Sequence, residues 1–127
     1  MRILGIDYGS KRVGIAISDP ERKFALPNCV IKNTDVLFAE VAKLATDFEV
    51  KEIVMGESRN YAGEANKILP DILKFKEKLE SAGYVVYLEL EFMTSVQAER
   101  LQGKNDMSDA SAAALILQAY LDRMPMK

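Results

Sequence analysis

Residues 1–20, MRILGIDYGSKRVGIAISDP, decide how the whole chain is read. An apolar run (Ile3, Leu4, Ile6) ends in the carboxylate of Asp7. A glycine-bearing turn follows over Tyr8 to Lys11, and Val13, Ile15 and Ile17 then alternate with small residues. Apolar runs on both sides of a short turn predict a β-hairpin. The hairpin puts an aspartate at the mouth of its first strand. A carboxylate on a buried strand is costly unless it is paired, hydrogen-bonded or bound to a metal. Asp7 is therefore a candidate for metal or phosphate chemistry. The plainer alternative is that it accepts hydrogen bonds from the turn amides of Tyr8 to Ser10. Gly9 is expected to supply a positive φ in that turn. Gly14 either leaves room for a phosphate backbone above the sheet or packs tightly.

Working outward, Asp19-Pro20 marks a second turn. Phe24 to Ile31 reads as a third strand, at an edge or bulged because of Pro27. Asn33 or Thr34 is expected to cap a helix reaching Phe48, with Leu37, Val41, Leu44 and Phe48 on one stripe. Glu52 to Gly56 reads as a central strand parallel to the first. Glu57 to Leu69 reads as a polar, irregular loop with room for a helical turn, Pro70 as the first position of a helix reaching Ser81, and Gly83 as its stop. Tyr84 to Phe92 is the last predicted strand. Thr94, with Gln97 three residues on, opens a short helix. Ser108 caps a final helix over Asp109 to Arg123. The order β-β-β-α-β-α-β-α-α predicts one α/β domain over residues 1–127, a mixed five-stranded sheet with helices on both faces.

Composition narrows the chemistry. The 127 residues hold no histidine and one cysteine, Cys29. Ser-His-Asp and Cys-His mechanisms, His-ligated zinc and an intrachain disulfide are thereby excluded. Any metal must be held among carboxylates, which favours Mg²⁺ or Mn²⁺. No apolar run is long enough for a membrane span and no signal peptide is visible, so a cytoplasmic location is expected. The net charge of −2 runs against the basic excess usual in nucleic-acid binders. A local basic patch can still serve, because affinity follows the phosphates contacted. Lys11, Arg12, Arg59, Arg100 and Lys104 are the candidates. Lys74, Lys76 and Lys78, interleaved with Glu77 and Glu80, read as a solvated helix face.

Three acidic positions can converge: Asp7, Glu91 near the end of the last strand, and Asp109 in the first turn of the last helix. If strands one and five run the same way, their carboxyl ends share the edge where α/β ligands bind. A divalent cation relieves the mutual repulsion of such carboxylates, and paired ions hydrolyse phosphodiesters without histidine. Asp109 reads equally well as a partner of the helix dipole. Glu89 lies on the same side of the strand as Glu91, and the pattern leaves the two tied. Asp19 and Asp106 read as turn residues.

GIDYGSKRVGIAISD, together with TSVQAERLQGK and DASAAALILQAYLD, resembles the motifs of the YqgF family. That family is assigned to pre-16S ribosomal RNA processing and is related to Holliday-junction resolvases. The resemblance spans nearly the whole chain. It implies a ribonuclease-H-like fold and divalent-metal phosphodiester cleavage, in the processing of the 5′ end of pre-16S rRNA. Asp7, Glu91 and Asp109 would be the catalytic, metal-holding carboxylates, and Lys11, Arg12 and Arg100 would be phosphate contacts. Glu91 matches the glutamate of a motif usually reading Asp-Glu-Arg-Leu-Thr, which favours it over Glu89. This chain departs there, with Leu90 and Phe92 in place of the aspartate and arginine. The expected partner is structured RNA, or branched DNA as the alternative, with the protein a monomer or homodimer. Two other readings compete. One is an actin-like phosphotransferase, whose phosphate loop has a similar hairpin but needs a second domain. The other is a nucleic-acid-binding module that keeps the fold without turnover.

Overall fold

The first strand is covered on both faces, and this organises the rest. In the computed structural model, which describes residues 2–56, 65–89 and 108–123, β1 (Ile3–Asp7) is buried at all of its positions. Its side chains alternate between two cores, as the pleat requires. Leu4 and Ile6 join one core, with Leu37, Val41, Ile72, Phe75 and Leu79. Ile3 joins the other, with Ala113, Ile116, Leu117 and Leu121. Full burial of a side chain such as Leu117 contributes about 1.5–3 kcal/mol.

The remaining strands are β2 (Arg12–Ser18), β3 (Ala25–Lys32), β4 (Glu52–Gly56) and β5 (Val85–Glu89). They form a five-stranded sheet in the order β3-β2-β1-β4-β5. β1 to β3 are antiparallel neighbours, whereas β4 and β5 run parallel to β1. Helices α1 (Leu37–Asp47) and α2 (Ala65–Ser81) cover one face, and α3 (Ser108–Arg123) covers the other. The expected mixed sheet with helices on both faces is therefore present. β3 is an edge strand, and its pairing with β2 shifts between Ile15 and Ala16, which leaves Asn28 as the extra residue beside Pro27.

Several local expectations need correction. Gly9 does not take a positive φ; among the described glycines only Gly83 does, at 104°. Gly9 is required for space instead, because a Cβ there would lie 2.5 Å from the Arg12 carbonyl oxygen. Neither Asn33 nor Thr34 caps α1. The N-cap position is Val36, without a side-chain cap bond. Asn33 is drawn away, donating through Nδ2 to the Gly9 carbonyl at 2.8 Å, and the Thr34 hydroxyl accepts a long bond from the Val36 amide at 3.4 Å. Pro70 does not begin α2. It lies inside a helix that starts at Ala65, as the sixth residue, where its missing N–H removes the bond to the carbonyl four residues back.

The stop of α2 is as expected. The Tyr84 amide donates to the Leu79 carbonyl at 3.2 Å and the Gly83 amide to Glu80 at 3.0 Å, which is a Schellman motif. α1 ends the same way, with Val50 donating to Ala45 at 2.7 Å and Glu49 to Thr46 at 3.2 Å. There the left-handed position is held by Glu49, at φ 57°. On α2, Lys76 pairs with Glu80 at 2.9 Å and the Lys78 ammonium lies 5.1 Å from the Phe38 ring centroid, so the lysine face is only partly a plain solvated one. No helix among the described residues is long and apolar enough to cross a membrane.

Candidate nuclease site at the carboxyl edge of the sheet

Sheet register places the candidate carboxylates. Asp7 pairs with Gly56 across β1 and β4, and Gly56 pairs with Glu89 across β4 and β5. Residues in register on parallel strands point to the same face. Asp7 and Glu89 therefore lie in one row, two strands apart, at the carboxyl ends of three parallel strands. Both are only 5 % exposed. Gly5, two residues before Asp7, shows which face this is: a Cβ on it would meet the Leu117 Cβ at 2.8 Å and the Ala113 carbonyl at 3.1 Å. The row thus faces α3.

The direction of α3 completes the placement. Its later part lies at the opposite edge, where Gln118 Oε1 accepts from the Ala25 amide at 2.9 Å. Ala113 lies over the middle of β1. The helix therefore runs antiparallel to β1, and its N-terminal turn points to the carboxyl edge. Asp109 belongs to that first turn, four residues before Ala113. A helix N-terminus brings a partial positive charge and free amides, which suit anionic groups. The small residues Ala110, Ala112, Ala113 and Ala114, all buried, let α3 approach the sheet this closely.

The hairpin turn supplies the rim. Lys11 and Arg12 are both exposed at its tip. The Tyr8 amide donates to the Gly56 carbonyl at 2.9 Å, extending the β1–β4 pairing past Asp7, and the Tyr8 ring packs on Phe75 at 5.6 Å. Structure thus brings Asp7, the first turn of α3, Lys11 and Arg12 to one edge. Glu91, Arg100, Arg59, Lys104 and Asp106 lie outside the described residues, as do the short helix from Thr94 and the side chain of Asp109. Among the described residues no group of three metal-ligating side chains is assembled. The strand pattern left Glu89 tied with Glu91 and the family resemblance favours Glu91; the structure adds that Glu89 is buried in register with Asp7. Asp19 is a turn residue, as read: its Oδ1 accepts from the amides of Lys23 at 2.7 Å and Phe24 at 2.8 Å.

Comparison with known proteins bears on the family and the fold. The family model described as "RuvX: Holliday junction resolvase" matches residues 1–123. A protein of Dictyoglomus thermophilum named "Putative pre-16S rRNA nuclease" is 35 % identical, over 96 % of this chain and 96 % of its own. One of the same name from Maridesulfovibrio salexigens is 34 % identical, over 97 % of this chain and 99 % of its own. Among solved structures, Thermus thermophilus RuvC superposes with a TM-score of 0.58 at 19 % identity, covering 98 % of this chain and 96 % of that one. The fowlpox virus resolvase, solved with substrate Holliday junction DNA, gives 0.57 at 14 % identity, covering 96 % and 97 %. The fold is the ribonuclease-H-like one of these resolvases, and the chain belongs to the RuvX Holliday junction resolvase family.

Proposed function

We propose that this protein is a divalent-metal-dependent endonuclease that hydrolyses phosphodiester bonds in the cytoplasm, with the 5′ region of pre-16S rRNA as its substrate. The observation that carries this reading is Asp7: a buried carboxylate ending the central strand of a resolvase fold, at the edge to which the first turn of α3 points. The full-length relatives bearing the pre-16S rRNA name support the choice of RNA. The resolvase family and its junction-bound structural neighbours support branched DNA as the second reading, for which a homodimer suits two symmetric cuts.

Asp7, Glu91 and Asp109 are the proposed metal-holding carboxylates, and Lys11, Arg12 and Arg100 the proposed phosphate contacts. The donor set fits a hard cation, since the chain offers oxygen ligands and no histidine. Bound Mg²⁺ or Mn²⁺ supplies Lewis acidity for water activation and charge relief at the leaving oxygen. The chain's own contribution is positional. β1 is fixed on both sides by β2 and β4. The Asp7 backbone is thereby set before substrate arrives, which lowers the ordering cost in the transition state.

The test is cleavage of a structured RNA spanning the 16S 5′ end and of a four-way DNA junction, each with Mg²⁺, Mn²⁺ or EDTA. Metal-dependent cleavage that disappears in Asp7→Asn is expected, with RNA preferred. Parallel assays of Glu89→Gln and Glu91→Gln decide which glutamate acts; the proposal expects the loss at Glu91. Binding of either nucleic acid without cleavage would refute the enzyme and leave a binding module.

A further inference from the structure

We propose that Lys32, with Arg12 and Lys11, forms a cationic strip that grips the phosphodiester backbone on the β3 side of the cleavage site, an inference resting on the nuclease reading above. Arg12 pairs with Lys32 across β2 and β3. Their neighbours Val13 and Ile31 belong to the core under α1 and α2. By strand alternation Arg12 and Lys32 therefore face the α3 side, the side of Asp7. The Arg12–Lys32 row lies two residues beyond the Gly14 row, and Gly14 pairs with Asp7. Strand spacing and rise place the Lys32 Cα about 12 Å from that of Asp7, outward and toward β3.

Two observations separate this strip from scattered surface charge. Lys11 and Lys32 are exposed, and neither makes an ion pair with a described residue. The spacing is also fixed in advance: Asn33 Nδ2 donates to the Gly9 carbonyl at 2.8 Å, and the Asn33 amide donates to the Lys11 carbonyl at 2.9 Å. The end of β3 is thereby tied to the hairpin tip. A preorganised row of cations suits an extended polyanion, because little order has to be created on binding. The chain's net charge of −2 makes such local concentration necessary rather than incidental. Asp35, exposed three residues after Lys32, bounds the strip on that side.

The measurement is equilibrium binding of the structured RNA and of the DNA junction in EDTA, where cleavage is suppressed, across a series of salt concentrations. Lys32→Gln is compared with wild type and with Lys43→Gln, an exposed lysine on α1 across the sheet. One lost phosphate contact should reduce the slope of log affinity against log salt by roughly 0.7–0.9 and weaken binding severalfold at low salt. Lys43→Gln should match wild type and Lys32→Arg should restore the slope. In cleavage assays Lys32→Gln should raise KM and leave kcat unchanged. The better-bound substrate identifies whose backbone is gripped. Tight wild-type binding with an unaltered slope in Lys32→Gln overturns the strip alone. A wild-type protein without affinity for either nucleic acid overturns the strip and the nuclease reading together.

Discussion

Replacing Gly56 by alanine tests the packing that positions the site. A Cβ at Gly56 would lie 2.5 Å from the Glu89 carbonyl oxygen and 3.0 Å from Cδ1 of Ile116. The first contact falls about 0.9 Å short of ordinary van der Waals approach, which begins at 3.4 Å. That partner is backbone in a paired strand and cannot rotate away. The second partner is a side chain, but a fully buried one. Overpacking costs about 1–3 kcal/mol, and a backbone clash puts Gly56→Ala in the upper half, about 2–3 kcal/mol. For a domain of this size the thermal midpoint should fall by roughly 8–12 °C and the urea midpoint by about 1 M or more. Gly83→Ala is the contrast. Nothing lies within 4 Å of its Cβ, and its cost comes from φ at 104°. It should lose about 1 kcal/mol. If Gly56→Ala unfolds at the wild-type urea midpoint, the close approach of β4, β5 and α3 is wrong, and the row linking Asp7 to Glu89 is wrong with it.

Further outcomes follow from local geometry. Ser18→Ala should destabilise by about 1–3 kcal/mol, because the buried Ser18 Oγ accepts from the Ile3 amide at 2.8 Å and that donor would be left without a partner; amide exchange at Ile3 reports it. Glu49→Gly should stabilise by about 0.5–1 kcal/mol, since the α1 cap needs the left-handed conformation at φ 57°; an unchanged melting midpoint would count against the cap. The backbone amide of Phe24, joined by that of Lys23, holds the Asp19 carboxyl below its ordinary 3.8. A depressed carboxylate contributes stability above its unfolded pKa that is lost as pH falls through the folded value. Asp19→Asn should therefore flatten the acid limb of the stability profile below about pH 4. Burial, with the Tyr87 hydroxyl beside it, pushes the Tyr120 phenol up to about 12 from 10.0. Its contribution is intact below the unfolded value and is lost as pH rises from 10 toward 12; absorbance titration should show a late-ionising tyrosine that Tyr120→Phe removes.

What was legible in the sequence follows the range of the interactions involved. The hairpins, the central position of Glu52–Gly56 and the Gly83 stop rest on periodicity and local turn chemistry, and all are present. Two non-glycine residues in the left-handed region, Arg22 at φ 62° and Glu49, carry no composition cue. Arg22 sits in a local turn, its amide donating to the Asp19 carbonyl at 3.0 Å, and its side chain reaches partners distant in sequence. Its guanidinium pairs with Glu52 at 3.0 Å, and Glu52 in turn accepts from the Tyr87 hydroxyl at 3.5 Å. Pro70 is a strong local start signal, and the helix overrides it by beginning at Ala65. For the candidate site, strand ends and charge pattern singled out Asp7, Lys11 and Arg12, which the structure brings to one edge of the sheet. The row containing Glu89 and the Arg12–Lys32 pairing depend on register between strands, which one sequence does not print.

The irregular edge at β3 bears on how this protein behaves in a crowded solution. Phe24 and Leu26 are 63 % and 58 % exposed at the start of a terminal strand. Such an edge invites intermolecular strand addition. Pro27 contributes no N–H, and the bulge at Asn28 interrupts the ladder just past the exposed apolar pair. An incoming chain would meet a kinked template with a missing donor. The irregularity thus acts as a guard against aggregation, keeping an apolar strand end compatible with high concentration.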